Sequence, residues 1–287
     1  MNIKTICVCG AGTMGSGIAQ VAATSGFKTI LYELNEGVLE KAKQNISNGL
    51  KKLTEKGKLT ETKAAEIFHD ILFTNNLDDC KADLVIEAIV ENVDVKTLLF
   101  QQLAAINEPT TIFASNTSSL SINVLAEKSM LGNRFAGLHF FNPAPVMKLV
   151  EVVKGEHTSD DTIQTLLEFS KRAGKEPVVC KDSPGFIVNR VARPFYIEAL
   201  RIAEENKVPL ETIDSLMENA GFKLGPFKLM DLIGNDVNYA VSCSVYEQLQ
   251  QPERLKPSYL QKEKVEKGEL GRKTGKGYYD YTDKSKK

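Results

Sequence analysis

Tryptophan is absent from this chain of 287 residues, and no apolar run approaches the length that a bilayer-spanning helix needs. The first predicted strand begins at residue 3, which leaves no room for a targeting segment ahead of it. The lack of a long apolar run argues against an integral membrane protein. We expect a cytoplasmic protein with no membrane partner.

An excess of charge of either sign is also missing, because 36 Lys and Arg residues balance 37 Asp and Glu residues to a formal net charge of -1. The overall charge therefore gives no reason to expect a nucleic acid as a partner. Neither disulfides nor a metal site are expected, since the cysteines are odd in number, scattered and without a CxxC pair. The five reduced thiols are Cys7, Cys9, Cys80, Cys180 and Cys243.

Glycine is concentrated in a short segment after the first apolar strand, in the pattern Gly10-x-Gly12-x-x-Gly15. Gly10 permits a tight turn, Gly12 leaves space for a pyrophosphate beside the backbone, and Gly15 lets the following helix pack on the sheet. The helix predicted to begin near Thr13 directs free N–H groups at the phosphates. This segment predicts a dinucleotide-binding βαβ unit.

The acidic residue that such a unit needs is Glu33, which ends the predicted strand 28–33, 23 residues after Gly10. Its carboxylate can accept hydrogen bonds from the adenine ribose hydroxyls and would repel a 2′-phosphate. We therefore expect NAD as the cofactor rather than NADP. A purely structural role for the glycines, in a tight turn, is the alternative interpretation.

Apolar runs alternate with segments of helical periodicity up to about residue 180, which predicts an α/β fold with a doubly wound, mostly parallel sheet. After the first two strands, the predicted strands are 71–74, 83–87, 111–115, 135–139, 148–153 and 176–180. The last two strands are expected to extend the sheet with a different strand direction.

The pattern changes at the segment Asp182-Ser183-Pro184-Gly185, after which the chain is predicted to be helical. We predict two domains, 1–183 and 184–287, of which the second is all helical. A helix is predicted over 186–205, and Pro184 just before it suits a first helical turn, with Asp182 or Ser183 available as the cap. Because a small helical domain is marginal alone, we expect it to pair with a second copy.

A lysine-rich insertion follows the second strand, and its periodicity predicts a helical hairpin over 37–69 that turns near Gly57. One interpretation is a solvated helix face, and the other is a surface for a phosphate-rich substrate. Its lysines include Lys41, Lys43, Lys51, Lys52, Lys56, Lys58 and Lys63.

A histidine and a glutamate lie on consecutive predicted strands. His139 closes one strand and Glu151 lies in the next, after a turn at Pro143-Ala144-Pro145. A carboxylate bonded to one ring nitrogen fixes the tautomer and raises the basicity of the imidazole, so that the other nitrogen can take a proton. A histidine satisfied within the core is the alternative. His69 and His157 lie in polar surroundings and are expected at the surface.

Two further polar groups could meet a substrate. The segment Ser115-Asn116-Thr117-Ser118-Ser119 follows a strand at the carboxyl edge of the sheet, where open α/β sheets bind ligands. Asn189 is a polar residue among apolar helix positions. A helix cap explains one of the hydroxyls, and a buried amide bonded to backbone explains Asn189 equally well.

Six segments in order resemble the 3-hydroxyacyl-CoA dehydrogenase family over essentially the whole chain, and its short bacterial form is the most similar. The resemblance implies a Rossmann-type NAD-binding domain, an all-α C-terminal dimerisation domain and hence a homodimer. It also implies NAD-dependent oxidation of (S)-3-hydroxyacyl-CoA, with 3-hydroxybutyryl-CoA as the substrate, and the reverse reduction of acetoacetyl-CoA. The segments are 10–15, 87–92, 114–119, 139–143, 182–190 and 271–279.

Carried over position by position, the resemblance implies that His139 is the general acid/base and that Glu151 orients it. Ser118 and Asn189 would hold the 3-oxygen of the acyl-CoA substrate, and Lys56 would meet the CoA phosphates. The glycine segment and the resemblance together assign to the cofactor Gly10, Gly12, Thr13, Met14, Gly15, Glu33, Glu91, Lys96, Ser118, Asn142 and Lys273.

Other interpretations stay open. Gly49 stands where some relatives have a serine, which leaves the CoA contacts open. Among enzymes, the alternative is a dehydrogenase of another hydroxy acid on the same fold. A different class is an NAD-binding protein without catalysis, for which the glycine segment alone would suffice.

Overall fold

The computed structural model describes residues 3–205 and 208–282, and the chain divides between Ser183 and Pro184 into two compact units. Within the described ranges, no helix is both long and apolar enough to cross a membrane.

The first unit is built on one sheet, and the prediction of a doubly wound, mostly parallel arrangement is confirmed. The strands are β1 (Thr5–Cys9), β2 (Lys28–Tyr32), β3 (Ile71–Thr74), β4 (Leu84–Glu87), β5 (Ile112–Ser115), β6 (Phe135–Phe140), β7 (Leu149–Lys154) and β8 (Glu176–Lys181). Their order is β3-β2-β1-β4-β5-β6-β7-β8, and neighbours are parallel except for the antiparallel pair β6 and β7. The carboxyl ends of β1, β4, β5 and β6 therefore share one edge.

Helices connect the strands of the first unit and make up the second unit. Those of the first unit are α1 (Thr13–Thr24), α2 (Glu36–Glu55), α3 (Glu61–His69), α4 (Val93–Ile106), α5 (Ile122–Ser129) and α6 (Asp160–Arg172). Those of the second are α7 (Val188–Glu204), α8 (Leu210–Asn219), α9 (Pro226–Ile233), α10 (Asn235–Gln248) and α11 (Tyr259–Glu266). The central strands are buried along almost their whole length, as their apolar sequences require.

The predicted helical hairpin is formed by α2 and α3. Asn35 caps α2 by accepting a hydrogen bond from the Val38 amide at 3.1 Å, and Thr60 caps α3 through the Lys63 amide at 3.2 Å. Gly57 lies in the connection with φ +66°, a conformation that glycine adopts without strain. The hairpin thus follows from two caps and one turn residue in the sequence.

The predicted start of the first helix of the second unit is wrong. Helix α7 begins at Val188, because Gly185 and Phe186 have φ values of +76° and +48° and cannot continue a right-handed helix. Pro184 is therefore outside the first helical turn. Asp182 does not cap α7, since its carboxylate accepts hydrogen bonds from Ser121 Oγ at 2.7 Å and from a backbone amide of α5 at 2.9 Å.

A buried carboxylate organises the last part of the second unit. Asp231 of α9 is 1 % exposed and accepts hydrogen bonds from the amides of Tyr278 and Tyr279, each at 3.0 Å. The Tyr281 hydroxyl and the Asn235 amide group add bonds of 3.1 and 2.9 Å. Space around this carboxylate is so limited that a Cβ on Gly277 would lie 2.0 Å from Asp231 Oδ1. Several residues of the segment 271–279 thus have a structural role, which is to pack around the Asp231 carboxylate.

Replacement of Asp231 by Asn should destabilise the second unit by about 3 kcal/mol, because an amide nitrogen would face N–H donors that now bond to a charge. Urea unfolding followed by tyrosine fluorescence reports on this unit, since seven of the eight tyrosines lie beyond residue 184 and tryptophan is absent. Glu253→Gln is the matched control, because that side chain is 80 % exposed. A loss below about 1 kcal/mol for Asp231→Asn would contradict a charge-dependent role.

Candidate active site

The glycine segment forms a tight loop between β1 and α1. Gly10 has φ +96°, and a Cβ there would lie 2.7 Å from the carbonyl oxygen of Ala88. A Cβ on Gly15 would lie only 1.7 Å from the Gly10 carbonyl oxygen, whereas one on Gly12 would meet nothing within 4 Å. Gly10 and Gly15 are thus required by the backbone itself. The open side of Gly12 is where a pyrophosphate can approach.

The N-terminus of α1 has no side-chain cap, and its first residues, Thr13 and Met14, directly follow this open glycine. Its first amides therefore suit an anionic group. Glu33 lies beside the same loop at the end of β2. Its Oε2 accepts a hydrogen bond from the Ala11 amide at 3.0 Å, and its Oε1 accepts one from the Asn35 amide at 3.1 Å. The loop and carboxylate fit the pyrophosphate and ribose of a dinucleotide.

A buried ion pair lies at the carboxyl ends of β4 and β5. Lys96 Nζ is 2.5 Å from Glu87 Oε1, and the two side chains are 1 % and 0 % exposed. Glu87 Oε2 accepts a hydrogen bond from Ser115 Oγ at 2.6 Å. Burial raises the pKa of Glu87 even though Lys96 and these hydrogen bonds act in the opposite direction. Sequence reasoning gave Glu87 no role, although an acid at the end of an apolar strand was a signal for one.

Glu91 joins this ion pair to the loop that carries Ser118. Its Oε2 is 3.2 Å from Lys96 Nζ, and its Oε1 accepts hydrogen bonds from Thr117 Oγ1 at 2.5 Å and the Ser118 amide at 3.2 Å. Burial disfavours the charged form of Glu91, but Lys96 and the hydrogen-bond donors together lower its pKa. Three of the predicted site residues are thus in one network.

His139 and Glu151 are direct partners across the antiparallel pair β6 and β7. His139 Nδ1 is 2.7 Å from Glu151 Oε2, and the two residues are 6 % and 1 % exposed. A carboxylate at this distance favours the tautomer with a proton on Nδ1, so that Nε2 is the basic nitrogen. Asn116 Oδ1 accepts a hydrogen bond from the Phe140 amide at 2.8 Å, which holds the loop after β5 to the end of β6.

Four further predicted site residues are exposed or half-buried. Asn142 is exposed in the connection that follows β6, and Lys56 is exposed at the end of α2. Asn189 and Lys273 belong to the second unit. Asn189 is half-buried in the first turn of α7, where its carbonyl accepts a hydrogen bond from Arg193 Nε at 3.1 Å. Lys273 Nζ forms an ion pair with Asp236 at 2.6 Å. As expected, His69 and His157 are exposed.

The glycine loop with its open side at Gly12, the Glu33 carboxylate beside it and the buried His139–Glu151 pair are the arrangement expected of a dehydrogenase of the dinucleotide-binding α/β class. Family models named 3-hydroxyacyl-CoA dehydrogenase match both units, the NAD binding domain over residues 5–183 and the C-terminal domain over residues 185–281. The chain therefore belongs to the 3-hydroxyacyl-CoA dehydrogenase family of NAD-dependent oxidoreductases, and NAD as the expected cofactor is confirmed.

Known proteins similar to this chain include both longer and equally long relatives. It is 48 % identical to 3-hydroxyadipyl-CoA dehydrogenase of Escherichia coli over 98 % of its own length and 60 % of that protein. It is 44 % identical to mitochondrial hydroxyacyl-coenzyme A dehydrogenase of Sus scrofa over 97 % and 91 % of the two chains. Crystalline (S)-3-hydroxybutyryl-CoA dehydrogenase of Ralstonia eutropha superposes with a TM-score of 0.93 at 40 % identity, over 98 % and 100 % of the two chains. The chain thus spans less than two thirds of the first of these relatives.

The Gly12→Ala substitution should weaken cofactor binding without changing the stability of the fold. The added methyl group meets no protein atom within 4 Å, and φ of -64° suits alanine, so the free energy of unfolding should stay within about 1 kcal/mol. The same methyl group would fill the approach to the backbone, and we expect the Kd of NADH to rise at least about 10-fold. Fluorescence titration with NADH measures it, with Gly37→Ala in α2 as the control. An unchanged Kd would contradict phosphate binding at this loop.

Proposed function

We propose that this protein oxidises (S)-3-hydroxybutyryl-CoA with NAD and, in reverse, reduces acetoacetyl-CoA with NADH. The observation that supports the proposal most is the His139–Glu151 pair, with 2.7 Å between Nδ1 and Oε2. Strand β6 is parallel to β5, and His139 lies near its carboxyl end, at the same sheet edge as the glycine loop. A base at that edge is what proton removal beside a bound dinucleotide requires.

In oxidation, His139 Nε2 takes the proton of the 3-hydroxyl, and Glu151 stabilises the imidazolium that forms. NAD, when bound, supplies the hydride acceptor. In reduction, the imidazolium returns the proton to the 3-oxygen. Ser118 and Asn189 are assigned to this oxygen, where hydrogen-bond donors stabilise the developing negative charge.

The acyl-CoA and the dinucleotide are proposed to be bound by further residues that the sequence predicted. Lys56, exposed at the end of α2, is proposed to meet the CoA phosphates. Lys273 and Asn142 are proposed to contact the cofactor. The support for the cofactor assignment is strongest at Glu33, which lies against the glycine loop through the 3.0 Å bond from the Ala11 amide.

We extend the proposal to a homodimer formed through the second unit. A helical unit of this size is marginal alone, and its surface carries large apolar side chains that a second copy could bury. They include Val191, Leu216, Phe222, Leu232, Ile233 and Val237. A cytoplasmic location stays a prediction.

Steady-state rates of NADH oxidation with a substrate panel test the proposal. We expect acetoacetyl-CoA to give a higher kcat/KM than a longer 3-ketoacyl-CoA or a free 3-keto acid, and NADH to be preferred over NADPH because Glu33 repels a 2′-phosphate. A free keto acid that reacts as well as acetoacetyl-CoA would favour a dehydrogenase of another hydroxy acid. NADH binding without any oxidation by acyl-CoA substrates would favour a non-catalytic protein.

His139→Gln should lower kcat by about 10²- to 10⁴-fold, the usual contribution of general acid/base catalysis. The Kd of NADH should change little, because the dinucleotide loop lies between β1 and α1. His157→Gln is the control, since that histidine is exposed. A kcat of His139→Gln near that of the control would remove His139 from the catalytic role.

A further inference from the structure

The connection between β6 and β7, residues 141–148, carries Asn142 and lies between His139 and Glu151 in the chain. It has no regular secondary structure, and Pro143 accepts hydrogen bonds at its carbonyl from the amides of Val146 and Met147 at 2.9 and 3.0 Å. These two bonds close a turn. They leave the carbonyl groups of Ala144 and Met147 to be satisfied from elsewhere in the molecule.

A lysine from a distant part of the chain satisfies both carbonyl groups. Lys175, between α6 and β8, is 8 % exposed, and its Nζ is 2.5 Å from the Ala144 oxygen and 2.8 Å from the Met147 oxygen. Within residues 3–205 and 208–282, no carboxylate lies within ion-pair distance of this ammonium group. Burial lowers the pKa of Lys175. The chain thus buries a cation against the backbone of one turn.

The other side of the same turn packs on the helix that follows the glycine loop. Ala144 is 2 % exposed, and a Cβ on Gly17 of α1 would lie 3.2 Å from Ala144 Cβ and 3.2 Å from Pro145 Cδ. The turn is therefore held between Lys175 and the first part of α1. Its position relative to the dinucleotide loop depends on both contacts.

We propose that Lys175 is a positioning residue for hydride transfer, which holds the turn 143–147 so that Asn142 and the His139–Glu151 pair keep a fixed geometry relative to the dinucleotide loop. This inference rests on the proposed function, because it assigns Lys175 to the same reaction. Lys175 does not touch the reacting atoms. It acts through the backbone of the turn, and a displacement of about 1 Å at an active site can cost about 100-fold in rate.

Lys175→Met tests the inference, because methionine keeps much of the side-chain volume but has no donor for the two carbonyl groups. We expect the single-turnover rate of NADH oxidation by saturating acetoacetyl-CoA to fall at least about 10-fold. The Kd of NADH should rise much less than the rate falls, since the glycine loop is unaltered and only the Asn142 contact is displaced. The KM of acetoacetyl-CoA should stay within about 3-fold, because Lys56 is unaltered. Lys175→Arg, which keeps the charge and the donors, should restore most of the rate.

Lys148→Met is the matched control, because Lys148 lies at the end of the same connection with its side chain 74 % exposed and pairs with Glu176 at 3.4 Å. Rates are divided by the folded fraction, so that a purely structural role would leave the rate per folded molecule unchanged. If Lys175→Met does not fold, Lys175→Gln, whose shorter amide does not reach both carbonyl groups, replaces it in the same comparison.

Two results separate failure of this inference from failure of the proposed function. If the unmodified protein does not reduce acetoacetyl-CoA, the proposed function fails, and the inference fails with it. If the unmodified protein is active and the Lys175 variant keeps a rate within about 2-fold of Lys148→Met, only the positioning role is overturned. An equal loss in Lys175→Met and Lys175→Arg would also overturn it, because the charge and donors would not matter.

Discussion

The antiparallel pairing of β6 and β7, in a sheet of otherwise parallel strands, determines where the His139–Glu151 pair forms. Parallel neighbours are joined by long crossovers, whereas the reversal between β6 and β7 needs only the short connection 141–148. Directly opposed residues on such a pair have neighbouring side chains, so register alone brings His139 to Glu151. Because β6 remains parallel to β5, the pair still lies at the edge where open α/β sheets commonly bind ligands.

The Lys96–Glu87 ion pair at this edge is buried, whereas the side chain of the third charged residue, Glu91, is 38 % exposed. Glu87, Glu91 and Lys96 form a group with a formal charge of minus one, and its oxygens accept hydrogen bonds from the loop that carries Ser118. Isolated burial of such ions would be strongly unfavourable, and their hydrogen bonds reduce that cost. A buried ion pair is therefore weak evidence for extra stability. The network is better understood as holding the loops that follow β4 and β5 in a single conformation.

Sequence reasoning predicted the features that depend on local pattern. Apolar runs, the glycine spacing and the hairpin turn at Gly57 were sufficient for the sheet, the dinucleotide loop and the insertion. It missed the start of α7, because the positive φ of Phe186 leaves no trace in helical periodicity. It also gave no role to Glu87 or Lys175, since their contacts join residues far apart in the chain. In the segment 271–279 only Lys273 was given a role, and the packing of Gly271, Gly277, Tyr278 and Tyr279 around Asp231 was not predicted.

The position of Asp231 has a consequence for how the chain folds during synthesis. Three of its hydrogen-bond donors come from residues 278–281, about fifty positions further along, so a nascent chain that ends before them leaves the Asp231 carboxylate with Asn235 alone among its four described donors. The NAD-binding unit is compact by itself, and we expect it to fold while the remainder is still on the ribosome. A truncated product would therefore carry a folded first half attached to an unfolded second half, a form that proteases remove readily.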